Sequence, residues 1–247
     1  MNHGVNPDTS SRSVAKLLVK GILSVISLVI LVSATLVVPL RWINPPTSSY
    51  MIQQKYSLQN SSGEAIPIRH KWVDWDEISD YAKVAAITSE DQRFPEHNGF
   101  DFEAIKKAWQ ESQRGDDLRG ASTITQQVAK NLYLWQGRSY LRKGIEAYFT
   151  GLIELFWSKK RILEIYLNIA EFGPGIFGVE AAARTYFNSS AADLNMPESA
   201  LLMTALPSPK RYDLHNPSPY MIERRNWILR YMHLLGNTAY LDRLDNG

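Results

Sequence analysis

The chain has 247 residues with 27 lysines and arginines against 25 acidic residues, so its net charge of +2, without a long basic run, argues against a nucleic-acid partner. Hydrophobic residues make up 45% and charged residues 21%, which supports a sizeable core and excludes a largely disordered chain. Because there is no cysteine, disulfide scaffolds, thiolate zinc sites and cysteine nucleophiles are also excluded.

A continuous apolar run occupies residues 21–40, contains no charged side chain and is bounded by Lys20 and Arg41. As a helix rising about 1.5 Å per residue, it spans about 30 Å, the thickness of the hydrocarbon core of a bilayer. A cleavable signal peptide is the alternative, but its apolar core usually has about 7–15 residues and precedes an Ala-x-Ala-like site, which is missing here. We therefore predict an uncleaved transmembrane anchor at 21–40.

The basic residues that flank the apolar run predict its orientation. The 15 residues before the run carry Arg12, Lys16 and Lys20, whereas the 15 residues after it carry Arg41 and Lys55. By the positive-inside rule, the N-terminal tail, residues 1–20, lies in the cytoplasm. The chain after the anchor is then expected on the opposite side of the membrane.

After the anchor, residues 41–69 are predicted to form a linker and juxtamembrane segment, because NPPTSS and QNSSG are rich in turn-forming residues. From 70 to 240 the apolar spacing is mostly helical, which indicates one mainly α domain. Asp76 and Asp101 are expected to cap its first two helices. Further helices are predicted at 124–132, 141–157, 162–169, 179–187, 197–205 and 219–235, with a glycine-rich loop at 173–178.

Two adjacent acids, Glu90 and Asp91, end the first helix of this domain, within SEDQRFPEHNGF. The helix C-terminus and the second acid both raise the pKa of a carboxyl group at this position. A general base that works near neutral pH needs such a raised pKa. A solvated helix end is the alternative interpretation.

Three further polar segments follow in the chain. In GASTITQQVAKN, Thr123 and Gln126 fit a capping box, and the same helix start with Lys130 is also suited to binding an anion. In RKGIE, Arg142 and Glu146 are four residues apart, the spacing of an ordinary surface ion pair. The segment KKRILEIYLN is predicted to be mainly structural. The five histidines lack metal-ligand spacing, so no metal site is predicted among the side chains.

Five segments resemble, in the same order, the motifs of the glycosyltransferase domain of peptidoglycan polymerases: EDQRFPEHNG, GASTITQQVAKN, RKGIE, KKRILEIYLN and FGPGIFGVEAAARTYF. The resemblance covers about residues 70–210. It implies a lysozyme-like α-helical fold in which a larger lobe and a smaller, membrane-contacting lobe flank a cleft. With one anchor and no transpeptidase domain, the chain resembles the monofunctional members from Gram-negative bacteria. That implies the cell inner membrane and a periplasmic catalytic domain.

The resemblance also implies a reaction and roles for the polar residues. The 4-hydroxyl of lipid II attacks the anomeric carbon of a glycan carried on a lipid pyrophosphate, which forms a β-1,4 linkage with inversion. Glu90 is implied as the general base, while Lys130 and Arg142 are suited to binding the pyrophosphate. Glu146 is implied as the second catalytic carboxylate, and three roles stay open for it: orienting Arg142, holding a divalent ion or assisting the leaving group. The remaining positions that match substrate-binding residues of the family are Asp91, Phe94, His97, Ser122, Thr123, Gln126 and Gln127.

The sequence assigns no cofactor, and a divalent cation, Mg²⁺ or Mn²⁺, at the pyrophosphate is left open. The expected partners are lipid II, the lipid-linked glycan and the bilayer, and cell-wall or division proteins are left open. An apolar stripe at 132–135 and Tyr140 is either core or membrane contact. The alternatives to polymerisation are a lysozyme-like enzyme that cleaves the wall and a non-catalytic anchored scaffold of the division machinery.

Overall fold

The computed structural model describes residues 7–59, 63–113, 122–137 and 139–245, and within them the fold is mainly α, as the sequence predicts. The helices are α1 Pro7–Val37, α2 Ser49–Ser57, α3 Asp80–Glu90, α4 Phe102–Gln113, α5 Ile124–Tyr133, α6 Tyr140–Phe156, α7 Lys159–Ile169, α8 Val179–Phe187, α9 Met196–Met203 and α10 Pro219–Leu234. The strands are β1 Arg69–His70, β2 Glu171–Gly173 and β3 Ile176–Phe177. They form one small sheet in the order β1-β3-β2, with β1 parallel and β2 antiparallel to β3.

Helix α1 contains the predicted anchor. It has 31 residues, which corresponds to about 46 Å at 1.5 Å per residue. By length and composition, the segment Lys16–Arg41 is able to cross a membrane, and its side chains, among them Leu23 and Ile30, are largely exposed. An exposed apolar helix of this length near the N-terminus is consistent with a membrane anchor.

The C-terminal end of α1 is attached to the folded domain through hydrogen bonds. The last carbonyl groups of a helix have no partner within the helix, and here the domain supplies donors for those of Leu36 and Val37. Trp157 Nε1 donates to the carbonyl of Val37 at 2.9 Å. Arg161 donates to the carbonyls of Leu40 at 2.9 Å and Ile43 at 3.0 Å, just beyond the helix. The anchor and the domain are therefore joined without a free segment between them.

Residues 41–69 differ from the predicted linker, because they contain helix α2. The helix starts within the turn-rich NPPTSS segment, where Ser48 Oγ accepts a hydrogen bond from the N–H of Met51 at 3.1 Å. Helix α2 packs against α5, and Lys210 Nζ donates to Gln54 Oε1 at 2.6 Å. The segment belongs to the folded body because contacts distant in sequence stabilise it, and its own apolar spacing is weak.

The core surrounds α7, which packs against α5, α8 and α3. Its residues Ile162, Leu163, Ile165 and Tyr166 are fully buried. Burial of each such side chain contributes about 1.5–3 kcal/mol. Helix α3, whose small residues such as Ala82 are fully buried, also packs against α9 and α10. The end of α3 and the start of α5, where the predicted site lies, are therefore supported from several sides.

The structure confirms one of the two predicted helix caps and contradicts the other. Asp101 accepts a hydrogen bond from the N–H of Ala104 at 2.9 Å, which confirms its role at the start of α4. The prediction for Asp76 is wrong, because Asp76 lies within the 3-10 turn Trp75–Glu77 and α3 begins at Asp80. The segment DWDEISD offers several capping residues, so local sequence does not define the helix start.

Candidate active site

The end of α3 is connected to the start of α5 by the carboxylate of Asp91. Its Oδ2 accepts a hydrogen bond from the backbone N–H of Ile124 at 3.0 Å. Its Oδ1 lies 2.9 Å from Nε2 of His97. Because the first N–H groups of a helix have no partner within the helix, Asp91 both caps α5 and fixes the position of Glu90 relative to that helix.

Glu90 is the last residue of α3 and is half-buried. Its Oε2 accepts a hydrogen bond from Gln127 Nε2 at 2.9 Å, and its Oε1 accepts one from Ser89 Oγ at 3.1 Å. Burial is the main cause that raises the pKa of Glu90, and the charge of Asp91 adds to it, against the hydrogen bonds and the charge of Arg224. The rise agrees in direction with the sequence prediction, but burial is its main cause. A carboxylate of this kind is suited to accept a proton near neutral pH.

The start of α5 forms the capping box that the sequence predicts. Thr123 Oγ1 accepts a hydrogen bond from the N–H of Gln126 at 3.2 Å, and Gln126 Oε1 accepts one from the N–H of Thr123 at 3.0 Å. Thr123 Oγ1 also donates to the carbonyl of Gly99 at 2.7 Å. Both side chains are buried, whereas the preceding Ser122 is exposed. Thr123 and Gln126 thus shape the helix start, and Gln127 is the residue that contacts Glu90.

Phe94 and His97 lie in the loop between α3 and α4. Phe94 is fully buried, and Nζ of Lys159 lies 4.6 Å from the centre of its ring. The carbonyl of His97 accepts a hydrogen bond from the same Lys159 Nζ at 2.6 Å. His97 Nδ1 is buried, and among the described residues it has no hydrogen-bond partner. Phe94 therefore supports the loop from the core, while His97 braces Asp91.

A cluster of positive charge surrounds the buried carboxylate of Glu146 on α6. Arg142 Nη1 donates to Glu146 Oε2 at 2.9 Å, and Lys143 also pairs with Glu146. The Arg142 side chain is only 12% exposed, so the surface ion pair considered for these two residues is not what forms. Within the described ranges, Arg142 Nε has no hydrogen-bond partner although it is buried. This donor is therefore available to an anion such as a phosphate.

Lys130 lies in the last turn of α5, the helix that packs against α6. Burial lowers the pKa of Lys130, while Glu146 and Glu90 raise it and Arg142 lowers it further. No hydrogen bond or ion pair of its Nζ occurs in the part of the chain that the structure describes. Lys130 and Arg142 therefore each have N–H donors without a partner among the described residues. Both cations also interact electrostatically with Glu146.

Asp91, His97 and Asp101 bring possible metal-ligand atoms within 4.8 Å of one another. The carboxylates already serve the ends of helices, since Asp91 caps α5 and Asp101 caps α4. Arg93 Nη1 also lies 3.4 Å from Asp101 Oδ1, so a metal cation there would lie beside a guanidinium. We therefore assign these three side chains to the structure of the loop.

Two residues that the sequence does not single out contact the site. The hydroxyl of Tyr166 on α7 donates to Gln127 Oε1 at 3.3 Å, which leaves Gln127 Nε2 directed at Glu90. Arg224 on α10 donates through Nη2 to the carbonyl of Ser89 at 3.0 Å. Tyr166 lies within KKRILEIYLN, where a polar tip among buried apolar residues was an available signal. Arg224 is 135 residues from Ser89, and no local pattern reveals this contact.

The predicted apolar stripe divides into two parts. Leu132 and Leu134 are buried and Tyr133 is half-buried, so these residues belong to the core. Trp135 is 47% exposed and Tyr140 is 99% exposed, as expected of a membrane-contacting surface. Other large apolar side chains that are exposed on α4 and α6 are Phe102, Ile105, Trp109, Leu141, Tyr148 and Leu155.

Comparison with known proteins gives consistent matches over most of the chain. A family model described as Transglycosylase matches residues 59–233, a range that includes every side chain of the site described above. A biosynthetic peptidoglycan transglycosylase of Pseudomonas putida (strain W619) is 51% identical over 213 residues, which are 86% of this chain and 90% of that protein. The protein of the same name from Pseudomonas fluorescens (strain SBW25) is 48% identical over 231 residues, 94% of this chain and 96% of its own. That from Xylella fastidiosa (strain 9a5c) is 48% identical over 221 residues, 90% and 91% of the two chains.

Proposed function

Since the chain belongs to the transglycosylase family and is a peptidoglycan glycosyltransferase, we propose that it extends glycan chains by transfer to lipid II. In the proposed reaction, the 4-hydroxyl of lipid II attacks the anomeric carbon of a glycan linked to a lipid pyrophosphate. A β-1,4 bond forms with inversion, and the lipid pyrophosphate leaves. The observation that carries this proposal is the pairing of a proton acceptor, Glu90, with separate cations at Lys130 and Arg142.

Glu90 is the general base of the proposed reaction. Its carboxylate takes the proton of the 4-hydroxyl while that oxygen forms the new bond to the anomeric carbon. Hydrogen bonds from Gln127 and Ser89 hold the two carboxylate oxygens in place. In an inverting displacement the base and the leaving group lie on opposite faces of the sugar, and the acceptor hydroxyl takes the place that water has in a hydrolase.

The cations around Glu146 stabilise the leaving group. A pyrophosphate is acidic enough to leave without a proton, so it needs positive charge more than it needs an acid. Arg142 has the free Nε donor and is able to bind phosphate in a bidentate manner, and Lys130 adds a second charge. In this proposal Glu146 holds Arg142 and Lys143 in position, and the exposed Ser122 contacts the substrate from the start of α5.

In this proposal, a divalent cation, Mg²⁺ or Mn²⁺, would be bound to the pyrophosphate of the substrate. The carboxylate of Glu146 lies beside the cation proposed to bind the pyrophosphate, and it is already paired with Arg142 and Lys143. This side-chain set suits an anion better than a resident metal. The steps proposed above therefore depend on the side chains of the chain itself.

We also propose that the chain is a single-pass protein of the cell inner membrane with its catalytic domain in the periplasm. A reporter that works only in the periplasm is then expected to be active when it is fused after Gly247. A reporter that works only in the cytoplasm is expected to be inactive at the same position. The N-terminus of the mature protein should be Met1 or its immediate successor. A processed chain that starts near residue 40 would contradict the anchor, and a fusion that is active in the cytoplasm would contradict the orientation.

The experiment that tests the proposed reaction gives purified full-length protein lipid II and separates the products. We expect glycan polymer together with free lipid pyrophosphate. Cleavage of added glycan strands without polymer formation would identify a wall-cleaving enzyme instead. Absence of any product would favour a scaffold, among whose partners division proteins would then be sought.

A further inference from the structure

Arg224 connects α10 to the C-terminal end of α3. Its Nη2 donates to the carbonyl of Ser89 at 3.0 Å. Its guanidinium carbon lies 4.3 Å from the centre of the Trp227 ring, a cation–π contact that limits the positions of the guanidinium. Helices α10 and α3 pack against each other, so this contact is made across a fixed interface.

The end of α3 concentrates negative charge. The final carbonyl groups of a helix carry a partial negative charge. In α3, the two acids Glu90 and Asp91 lie at this same end of the helix. The carbonyl of Thr88 accepts a hydrogen bond from the neutral amide of Gln92 at 3.2 Å. The next carbonyl, that of Ser89, accepts its hydrogen bond from a charged guanidinium. Arg224 therefore compensates charge where Glu90 must ionise.

The charged and titratable groups that face Glu90 come from four elements. Asp91 directly follows it at the end of α3, Lys130 lies on α5, Tyr166 on α7 and Arg224 on α10. The charge of Arg224 lowers the pKa of Glu90, against the opposing effects of burial and Asp91. Lys130 also interacts with Glu90, since Glu90 raises the pKa of Lys130.

The other elements that pack against α3 direct their polar groups elsewhere. In the 3-10 segment Asn237–Asp245, the hydroxyl of Tyr240 donates to the carbonyl of Gln92 at 2.7 Å. Arg243 in the same segment pairs with Glu96. Among the described residues of α9, the other neighbour of α3, no ion pair to Glu90 occurs.

We propose that Arg224 is a positioning residue for the polymerisation reaction: it closes the end of α3 and supplies the positive charge beside the general base. The inference rests on the proposed role of Glu90. Arg224 acts through the Ser89 carbonyl and through its charge, so direct contact with the substrate is not part of its role.

The test compares kcat/KM for lipid II as a function of pH in full-length wild-type protein and in Arg224→Met. The base works only when it is ionised, and loss of the nearby cation favours its protonated form. The acidic limb of the profile should therefore move to higher pH by about 0.5–1 units. At a pH below the limb, the rate should fall about 3- to 10-fold, and it should recover at alkaline pH. Loss of structure alone would not be reversed by raising the pH.

Matched variants separate charge from hydrogen bonding. Arg224→Lys keeps the charge and should leave the limb close to that of wild type. Arg224→Gln is able to donate to Ser89 but is uncharged, so it should shift the limb even if Arg224→Met does not fold. Arg225→Met is the control, because Arg225 bonds the neighbouring Asn226 through Nε at 3.3 Å and Nη2 at 3.0 Å. It should leave the profile unchanged.

The outcomes distinguish this inference from the proposed function. Inactive wild-type protein, or an active Glu90→Gln variant, would contradict the proposed function. Active wild type and inactive Glu90→Gln, with an unchanged acidic limb in folded Arg224→Gln, would overturn the role of Arg224 alone. An equal shift of the acidic limb in Arg225→Met would also overturn the role of Arg224. It would show that the shift does not depend on the arginine that contacts α3.

Discussion

Replacing Glu90 by Gln is expected to lower lipid II turnover by at least about 100-fold while the protein stays folded. The amide keeps the shape of the side chain and hydrogen bonds to Gln127 or Ser89, but it is unable to take the proton of the attacking hydroxyl. Turnover is measured by separating polymer from lipid II, and folding is measured by thermal unfolding at the same pH.

Stability provides a second readout for the same variant. The pKa of Glu90 is raised in the folded chain, chiefly by burial, so its ionisation opposes folding as pH rises above the ordinary carboxyl value. Removal of this carboxyl should leave stability at pH 7 equal or higher, and the difference should vanish in acid. Glu96→Gln is the control, because Glu96 is an exposed acid of the adjacent loop that pairs with Arg93. Near-normal turnover by folded Glu90→Gln would remove Glu90 from the role of base.

Replacing Arg142 by Lys is expected to lower turnover by about tenfold or more, because Lys keeps the charge but loses the planar pair of donors that binds a phosphate. The buried Glu146 keeps Lys143 as a partner. The loss of stability should therefore stay well below the roughly 3–5 kcal/mol that an unpaired buried charge costs. Steady-state kinetics and thermal unfolding of the same preparation measure the two effects.

Arg93→Lys is the matched control for Arg142→Lys. Arg93 forms an ion pair with Glu96 at 2.9 Å and lies 3.4 Å from Asp101, and its side chain is 46% exposed. Because Lys keeps the charge at this partly exposed position, the substitution should change neither turnover nor stability appreciably. If Arg142→Lys and Arg142→Ala both retained the wild-type rate, Arg142 would have only a structural role. The charge that stabilises the leaving group would then have to come from Lys130 and Lys143.

The sequence predicts those parts of the fold whose signals are local. Thr123 and Gln126 lie three residues apart in a recognisable capping box, and the apolar spacing of α5 to α7 follows the helical period. Helix α2 was not predicted, because its stability depends on contacts such as that of Lys210 with Gln54, which are 156 residues apart. Interactions of this kind leave no periodic trace in the segment itself.

The same distinction holds for the site. The acids at 90 and 91 and the spacing of Arg142 and Glu146 are visible in the sequence. That spacing is the same for a surface pair and a buried pair, however, and only the packing of α6 against α5 decides between them. Tyr166 and Arg224 reach the site from helices that are distant in sequence, so their contacts follow from the assembled fold.

In the proposed membrane topology, the attachment of α1 to the domain makes bilayer thickness relevant to the proposed reaction. Trp157 donates a hydrogen bond to the carbonyl of Val37, and Tyr133 donates one to the carbonyl of Leu36 at 3.3 Å. These contacts restrict rotation of the domain relative to α1. Its height and inclination above the lipid headgroups are then determined by the tilt of one helix. A thinner bilayer increases that tilt. The distance between Glu90 and the plane of the lipid phosphates would change with it, so in this proposal the lipid environment would act on the enzyme mechanically as well as by supplying its substrate.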